Sequence, residues 1–168
     1  MLYELTVPQF IKTLNQMKTW FDKAQAHAEA KKFDVQVLTQ TRLVPDQFPL
    51  IRQVQIACDT AKLCAARLTG KNAPVHEDKE VTFDDLRTRI DSVVTYLKTF
   101  SAKDFVDAEG RRVTQPRWEG KYMLGFEFLT QHTLPNFYFH TTTAYAILRH
   151  CGVEVGKRDF LGEMPYKH

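Results

Sequence analysis

The chain has 168 residues, of which 43% are hydrophobic and 26% are charged, and its formal net charge is +3. These values are typical of one globular domain that can bury its own core, and residues 1–168 are interpreted as a single domain. The 23 basic residues are dispersed among 20 acidic residues without forming a basic stripe, which argues against nucleic-acid binding.

The sequence contains no membrane or export signal. No segment approaches the roughly 20 consecutive apolar residues that a membrane-spanning helix needs, and no apolar leader precedes the first amphipathic segment. The cysteines are Cys58, Cys64 and Cys151, an odd number without a CxxC pair. They are typical of small buried thiols in a reducing compartment. We therefore expect a cytoplasmic protein that does not bind membranes.

A long helix is predicted at the start of the chain. It begins near Thr6, which can act as its N-cap, with Pro8 in the first turn, and it continues to about Lys31. Apolar residues recur at spacings of three and four and predict one buried face: Phe10, Leu14, Met17, Phe21, Ala24 and Ala28.

A connection over about residues 33–47 separates this helix from the second one and is longer than the turns of a simple bundle. It is a candidate crossover or lid. The second helix is expected over about residues 48–68, with its end at Gly70.

The third helix should begin at a capping box formed by Thr82 and Asp85 and fade near Phe100. The pattern then changes to β-forming residues punctuated by glycine and proline, over residues 111–114 and 121–131. These two segments predict a small antiparallel hairpin inserted before the last helix.

The last helix is expected to start at Thr133, as its N-cap, and to end at Gly152. Beyond about Val153 the chain is predicted to form an irregular strap, anchored by Phe160 and Leu161.

Several short motifs along these elements resemble a known family. They are PDQFPL (residues 45–50), RQVQ (52–55), CD (58–59), PNFYFH (135–140) and GKRDFLG (156–162). They resemble the DinB/YfiT-like superfamily, and more closely a branch known only as a domain of unknown function. The resemblance covers nearly the whole chain. It implies a mainly α four-helix bundle, here with the small β-hairpin before the last helix, and it also implies a homodimer.

Many members of that superfamily hold a divalent metal with three histidines, one from the second helix and two from the last. The resemblance places His140 on the second position of the last-helix pair and Asn136 on the first. The second-helix position falls on Gln55, with Asp59 one turn later. The triad is incomplete, so the resemblance implies zinc or nickel held weakly through His140, or a vestigial site.

His140 is also the leading candidate from the residues alone. We expect it to project between the second and last helices and to meet Asp59, a contact that would orient the imidazole and raise its pKa. The pair is either a ligand or general base, or a structural polar network. A thiol nucleophile made of Cys58 and His140 is a weaker alternative. Tyr145 could reach toward Asp59, Glu127 or the tail.

Two functions follow from these patterns. The first is an enzyme-like or binding bundle that takes a small molecule, with or without a metal, around His140, Asp59 and Gln55. The second is a non-catalytic dimeric structural or interaction protein whose polar core serves only the fold. His27 and His132 would join a site with His140 only if their side chains point inward.

Overall fold

Four helices form the frame of the structure, a computed structural model that describes residues 1–167. The α-helices of the described residues, including two short ones outside this frame, are α1 (Leu2–Lys31), α2 (Leu50–Thr69), α3 (Phe83–Leu97), α4 (Gly125–Glu127), α5 (Leu134–His150) and α6 (Lys157–Leu161). The bundle consists of α1, α2, α3 and α5, in which α1 and α2 each pack against the other three. This arrangement confirms the predicted four-helix bundle. No helix among residues 1–167 is long and apolar enough to cross a bilayer.

The first helix begins at Leu2, one turn before its predicted start. Thr6 is not an N-cap, because it is fully buried and its hydroxyl donates to the Leu2 carbonyl at 2.7 Å. Pro8 therefore lies inside the helix, where its missing N–H leaves the Glu4 carbonyl without its usual backbone donor. Gln9 Nε2 donates to that oxygen at 3.5 Å, so a side chain replaces part of the lost bond.

The apolar face predicted for α1 is buried along its whole length. The ring of Phe10 lies 4.6 Å from that of Phe137 on α5, centroid to centroid. Phe21 is 5.0 Å from Phe83 at the start of α3. Burial of each such ring stabilises the fold by about 1.5–3 kcal/mol. These two contacts join α1 to α5 and to α3.

The predicted end of α2 at Gly70 and the predicted start of α3 at its capping box are confirmed, whereas α2 begins two residues later than predicted and α3 ends before Phe100. Gly70 follows α2 with a φ of 73°, the left-handed conformation that ends a helix most easily at glycine. Asp85 N–H donates to Thr82 Oγ1 at 3.1 Å, and Thr82 N–H donates back to the Asp85 carboxylate at 2.8 Å. The connection before α2 contains a 3₁₀ helix, Val35–Gln40.

The hairpin is present but shorter than predicted. Strand β1 (Arg112–Val113) pairs antiparallel with β2 (Met123–Leu124), and a 3₁₀ helix, Pro116–Trp118, lies between them. The expected strand over residues 121–131 is wrong beyond Leu124, where the chain turns helical through α4 and a π-helical turn, Phe128–Thr133.

Side-chain burial shows why this segment is helical. A strand would place Phe126 and Phe128 on the same face, whereas Phe126 is 48% exposed and Phe128 is 1% exposed. The Glu127 carboxylate accepts from the Leu124 N–H at 3.0 Å and so caps the helix start. The π turn continues directly into α5, and Thr133 lies inside this helical run rather than acting as its N-cap.

The tail forms a short helix, α6, instead of an irregular strap. Phe160 anchors it as predicted, since its ring stacks on Trp20 with centroids 5.6 Å apart. Trp20 Nε1 also donates to the Asp159 carbonyl at 3.0 Å. Leu161 does not act as an anchor, because its side chain is exposed.

Candidate functional site

A cleft of about 540 Å³, called here the α2–α5 cleft, lies between α2 and the helical run that leads into α5. The two helices are antiparallel there, since Gln53 contacts His140 and Thr60 contacts Asn136 further along. The cleft also contains Asp59, so it brings together His140, Asp59 and Asn136 among the predicted site residues.

His140 is bonded to Gln53 and not to an acid. The Gln53 amide is oriented by its Nε2, which donates to the Phe48 carbonyl at 2.9 Å. Its oxygen therefore faces His140 Nδ1, 2.7 Å away, and accepts the proton that this nitrogen carries. Within residues 1–167, His140 Nε2 has no hydrogen-bond partner, so its lone pair is available to a ligand in the cleft.

The environment of His140 favours the neutral imidazole. Burial, followed by the positive charge of Arg52, lowers the pKa of His140 to about 4. The prediction that an acid would raise this pKa is wrong. At neutral pH the ring is an uncharged hydrogen-bond acceptor at Nε2.

Asp59 lines the same cleft but forms ion pairs with Arg89 and Lys62 instead of contacting His140. Its carboxylate accepts from Arg89 Nη2 at 2.8 Å and lies 2.8 Å from Lys62 Nζ. The predicted contact between Asp59 and His140 is not formed. Gln53 and Asp59 are separated by more than one and a half turns of α2, so they project in different directions.

Gln55 is not in the cleft, although the family register suggested it. Its Nε2 donates to Glu80 Oε2 at 2.7 Å, and its oxygen accepts from Arg52 Nη1 at 3.0 Å. Residues two apart on a helix point about 200° apart, so the residue of α2 that faces His140 is Gln53. Its spacing from Leu50 and Ala57 on the apolar face of α2 was the signal that sequence reasoning missed.

The two remaining predicted site residues, Asn136 and Tyr145, lie in different parts of the structure. Asn136 lines the cleft and donates from Nδ2 to Thr60 Oγ1 at 2.8 Å. Tyr145 lies under the tail instead, where its hydroxyl donates to the Val155 carbonyl at 3.3 Å. Its ring packs edge-on against Trp20.

The side chains around His140 do not fit a resident zinc or nickel ion. Residues 1–167 contain no group of three or more His, Cys, Asp or Glu side chains placed to hold a metal. The neighbours of His140 are a neutral amide, Gln53, and a cation, Arg52, which disfavours a second positive charge. The thiol alternative is also unfavourable, because burial raises the pKa of Cys58 to about 12 and keeps it protonated.

The other end of the cleft, which we call the arginine end, consists of Arg67, Gln115, Arg117 and His132. Sequence reasoning named only His132 among these, on the condition that its side chain points inward, and missed the other three. Arg117 Nη2 donates to His132 Nε2 at 3.1 Å. His132 therefore does face the cleft, and its ring stacks on Phe128. Arg67 follows Thr60 and Leu63 on one face of α2, which was a usable signal. Gln115 and Arg117 lie in the hairpin, and the fold of the hairpin places them at the cleft. No local sequence pattern predicts that position.

A buried charge network lies beside the cleft, between α2, α3 and the loop that joins them. Its centre is Arg89, whose side chain is 1% exposed. Arg89 binds Asp59 at 2.8 Å, Asp78 at 2.7 Å and Glu80 at 3.0 Å. Lys62 adds a second buried cation next to Asp59. The network holds the α2–α3 loop in place and takes up the charge of Asp59.

Comparison with known proteins supports the family resemblance. A family described as "Domain of unknown function (DUF1993)" matches residues 2–161. A crystal structure of a DinB family member protein from Shewanella denitrificans is 60% identical in sequence, over 100% of this chain and 96% of that one, with a TM-score of 0.97. No curated protein matches the chain. The chain therefore belongs to the DUF1993 family, a branch of unknown function within the DinB-like superfamily.

Proposed function

We propose that this protein binds a small molecule in the α2–α5 cleft, with the neutral imidazole of His140 as a hydrogen-bond acceptor. The observation that supports the proposal most directly is the bond from His140 to Gln53, which fixes the tautomer and leaves Nε2 without a partner among residues 1–167. The cleft has the size of ordinary ligand pockets, and apolar side chains such as Ile56 and Leu63 line it together with a larger number of polar and charged ones.

The chemistry favours recognition over acid–base catalysis. A general base is most effective when its pKa lies near the working pH, and the pKa of His140 lies at about 4. The lone pair on Nε2 is better suited to accept from a hydroxyl or amide of a ligand. Asn136 and Thr60 in the middle of the cleft offer further polar contacts along its wall.

Fragment binding tests this proposal. We expect some members of a fragment library to shift the His140 Nε2 resonance in ¹⁵N-histidine NMR spectra of the untagged protein at pH 7. Leu63→Trp should abolish these shifts, since Leu63 lines the cleft and a larger side chain would fill it. Leu5→Trp is the control, because Leu5 is exposed on α1 and lies outside the cleft.

Shifts that persist unchanged in Leu63→Trp would contradict binding in the cleft. The absence of any fragment that shifts His140 would contradict the proposal as a whole. Metal analysis by mass spectrometry on the same sample provides a further check. Stoichiometric zinc or nickel that is lost in His140→Ala would show that the site holds a metal instead.

A second candidate function, a dimeric interaction protein, is favoured by a set of large apolar side chains that lie at the surface. They occur in the hairpin, α4 and α5 and are between 39% and 55% exposed: Tyr122, Leu124, Phe126, Tyr138 and Phe139. Exposed apolar surface is typical of interfaces where it is contiguous. We propose that a second copy of the chain covers part of it.

Light scattering after size-exclusion chromatography tests this association. We expect twice the mass of one chain for the wild type and the mass of a single chain for Phe139→Glu, because a carboxylate in an apolar interface is costly to desolvate. Val75→Glu, in the exposed α2–α3 loop, should leave the mass unchanged. A monomeric wild type at micromolar concentration would contradict the dimer.

A further inference from the structure

Among the described residues some arginines pair with carboxylates, whereas the two cations at the arginine end of the cleft do not. Arg52, Arg87 and Arg89 each bind at least one carboxylate. Within residues 1–167, neither Arg67 nor Arg117 has an acidic side chain in salt-bridge range. Burial, and then the charge of Arg117, lower the pKa of Arg67, which agrees with two close cations that no anion compensates.

Two further donors at this end have no acceptor. Gln115 is 8% exposed, and its buried Nε2 makes no hydrogen bond among the described residues. His132 accepts from Arg117 at Nε2, so its Nδ1 carries the proton. That Nδ1 is also buried and without a partner in the same part of the chain. Buried donors that stay unpaired are costly, so this arrangement indicates a missing acceptor.

The acid that shares the cleft does not neutralise this end. Asp59 precedes Arg67 by about two turns of α2, or about 12 Å along the helix axis. Its carboxylate is already held by Arg89 and Lys62. The arginine end therefore presents uncompensated positive charge to whatever occupies the cleft.

From this juxtaposition we propose that Arg67, Arg117 and Gln115 bind the oxyanion group, a carboxylate or a phosphate, of the small molecule held in the cleft. The inference rests on the proposed function and names the class of its ligand. Guanidinium groups match both oxyanions, because their N–H groups form paired hydrogen bonds to two oxygens. Such a ligand is an organic acid or phosphate ester whose other end carries a donor for His140.

Calorimetric titration with defined anions tests the inference. The probes are inorganic phosphate and succinate, with succinamide as the uncharged counterpart, at constant low ionic strength. We expect both anions to bind the wild type and succinamide to bind weakly or not at all. Arg67→Gln and Arg117→Gln should each weaken anion binding by about tenfold or more, which corresponds to about 1.4 kcal/mol. Arg158→Gln, at an exposed position of α6 outside the cleft, should bind like the wild type.

Each outcome separates this inference from the proposed function. Equal anion binding by wild type, Arg67→Gln and Arg117→Gln would overturn it. It would also fail if uncharged fragments shift His140 while neither phosphate nor succinate binds, an outcome that leaves the proposed function intact. If no fragment of any class shifts His140, the proposed function itself fails. Arg117 is exposed at the surface, so its variant keeps the test valid even if Arg67→Gln impairs folding.

Discussion

Replacement of Arg89 with Met is expected to lower the free energy of unfolding by about 3–5 kcal/mol, the range for removing one partner from a buried ion network. Arg89 is almost wholly enclosed and binds Asp59, Asp78 and Glu80. Without the guanidinium, three carboxylates would remain close together with only Lys62 and Arg52 to compensate them. The α2–α3 loop would lose the contacts that hold it.

A neighbouring arginine of α3 provides a matched control. Arg87 also binds a carboxylate, Asp22, but that partner is 70% exposed. Exposed ion pairs contribute about 0–1 kcal/mol, so Arg87→Met should cost far less than Arg89→Met. Urea unfolding followed by circular dichroism measures both variants. Equal losses in the two would show that the buried network does not stabilise the fold.

The same network predicts how stability depends on pH. Burial acts to raise the pKa of Glu80, but hydrogen bonds from Arg89 and from the backbone outweigh it, so the pKa lies below its ordinary value. Asp78 behaves in the same way through Arg52 and Arg89. A lowered pKa in the folded state stabilises the protein above about pH 4 and loses this effect as pH falls further. The difference between wild type and Arg89→Met should therefore shrink below about pH 4.

Gly125→Ala is the second substitution that we expect to lower the free energy of unfolding strongly. A Cβ at this position would lie 1.8 Å from the Ala108 carbonyl oxygen and 3.1 Å from Leu68 Cδ2. The obstacle is backbone, and the Phe126 N–H donates to the Glu109 carbonyl at 3.1 Å, which holds the two segments together. The free energy of unfolding of this variant should be lower than that of the wild type by about 3 kcal/mol, the upper end of the usual range for overpacking.

Gly110→Ala is the control for this substitution, because no atom lies within 4 Å of a Cβ built there. Its free energy of unfolding should change by no more than about 0.5 kcal/mol. Chemical denaturation of the two variants gives the comparison. Similar stability of Gly110→Ala and Gly125→Ala would mean that the close approach at Ala108 does not exist. Since Gly125 begins the helical run that carries His132 and His140, its variant should also disturb the cleft.

The sequence predicted the helices of the bundle better than the segment between them. Regular apolar spacing and recognisable ends, such as Gly70 and the Thr82 capping box, are local signals that packing does not override. Residues 121–131 carry an alternating pattern that fits a strand. The cap by Glu127 and the close packing of Gly125 against the Ala108 carbonyl favour a helix instead. This packing depends on a segment that lies earlier in the chain.

By itself, the sequence determined the four-helix frame, the buried face of α1 and the position of His140 at the seam of two helices, because each follows from a local period or from family motifs. Only the tertiary structure decided which groups meet there. It paired His140 with Gln53 and Asp59 with Arg89, since rotation about a helix axis and register between helices are set by packing. It also brought Gln115 and Arg117 from the hairpin to Arg67, a contact between segments far apart in the chain that no local pattern encodes.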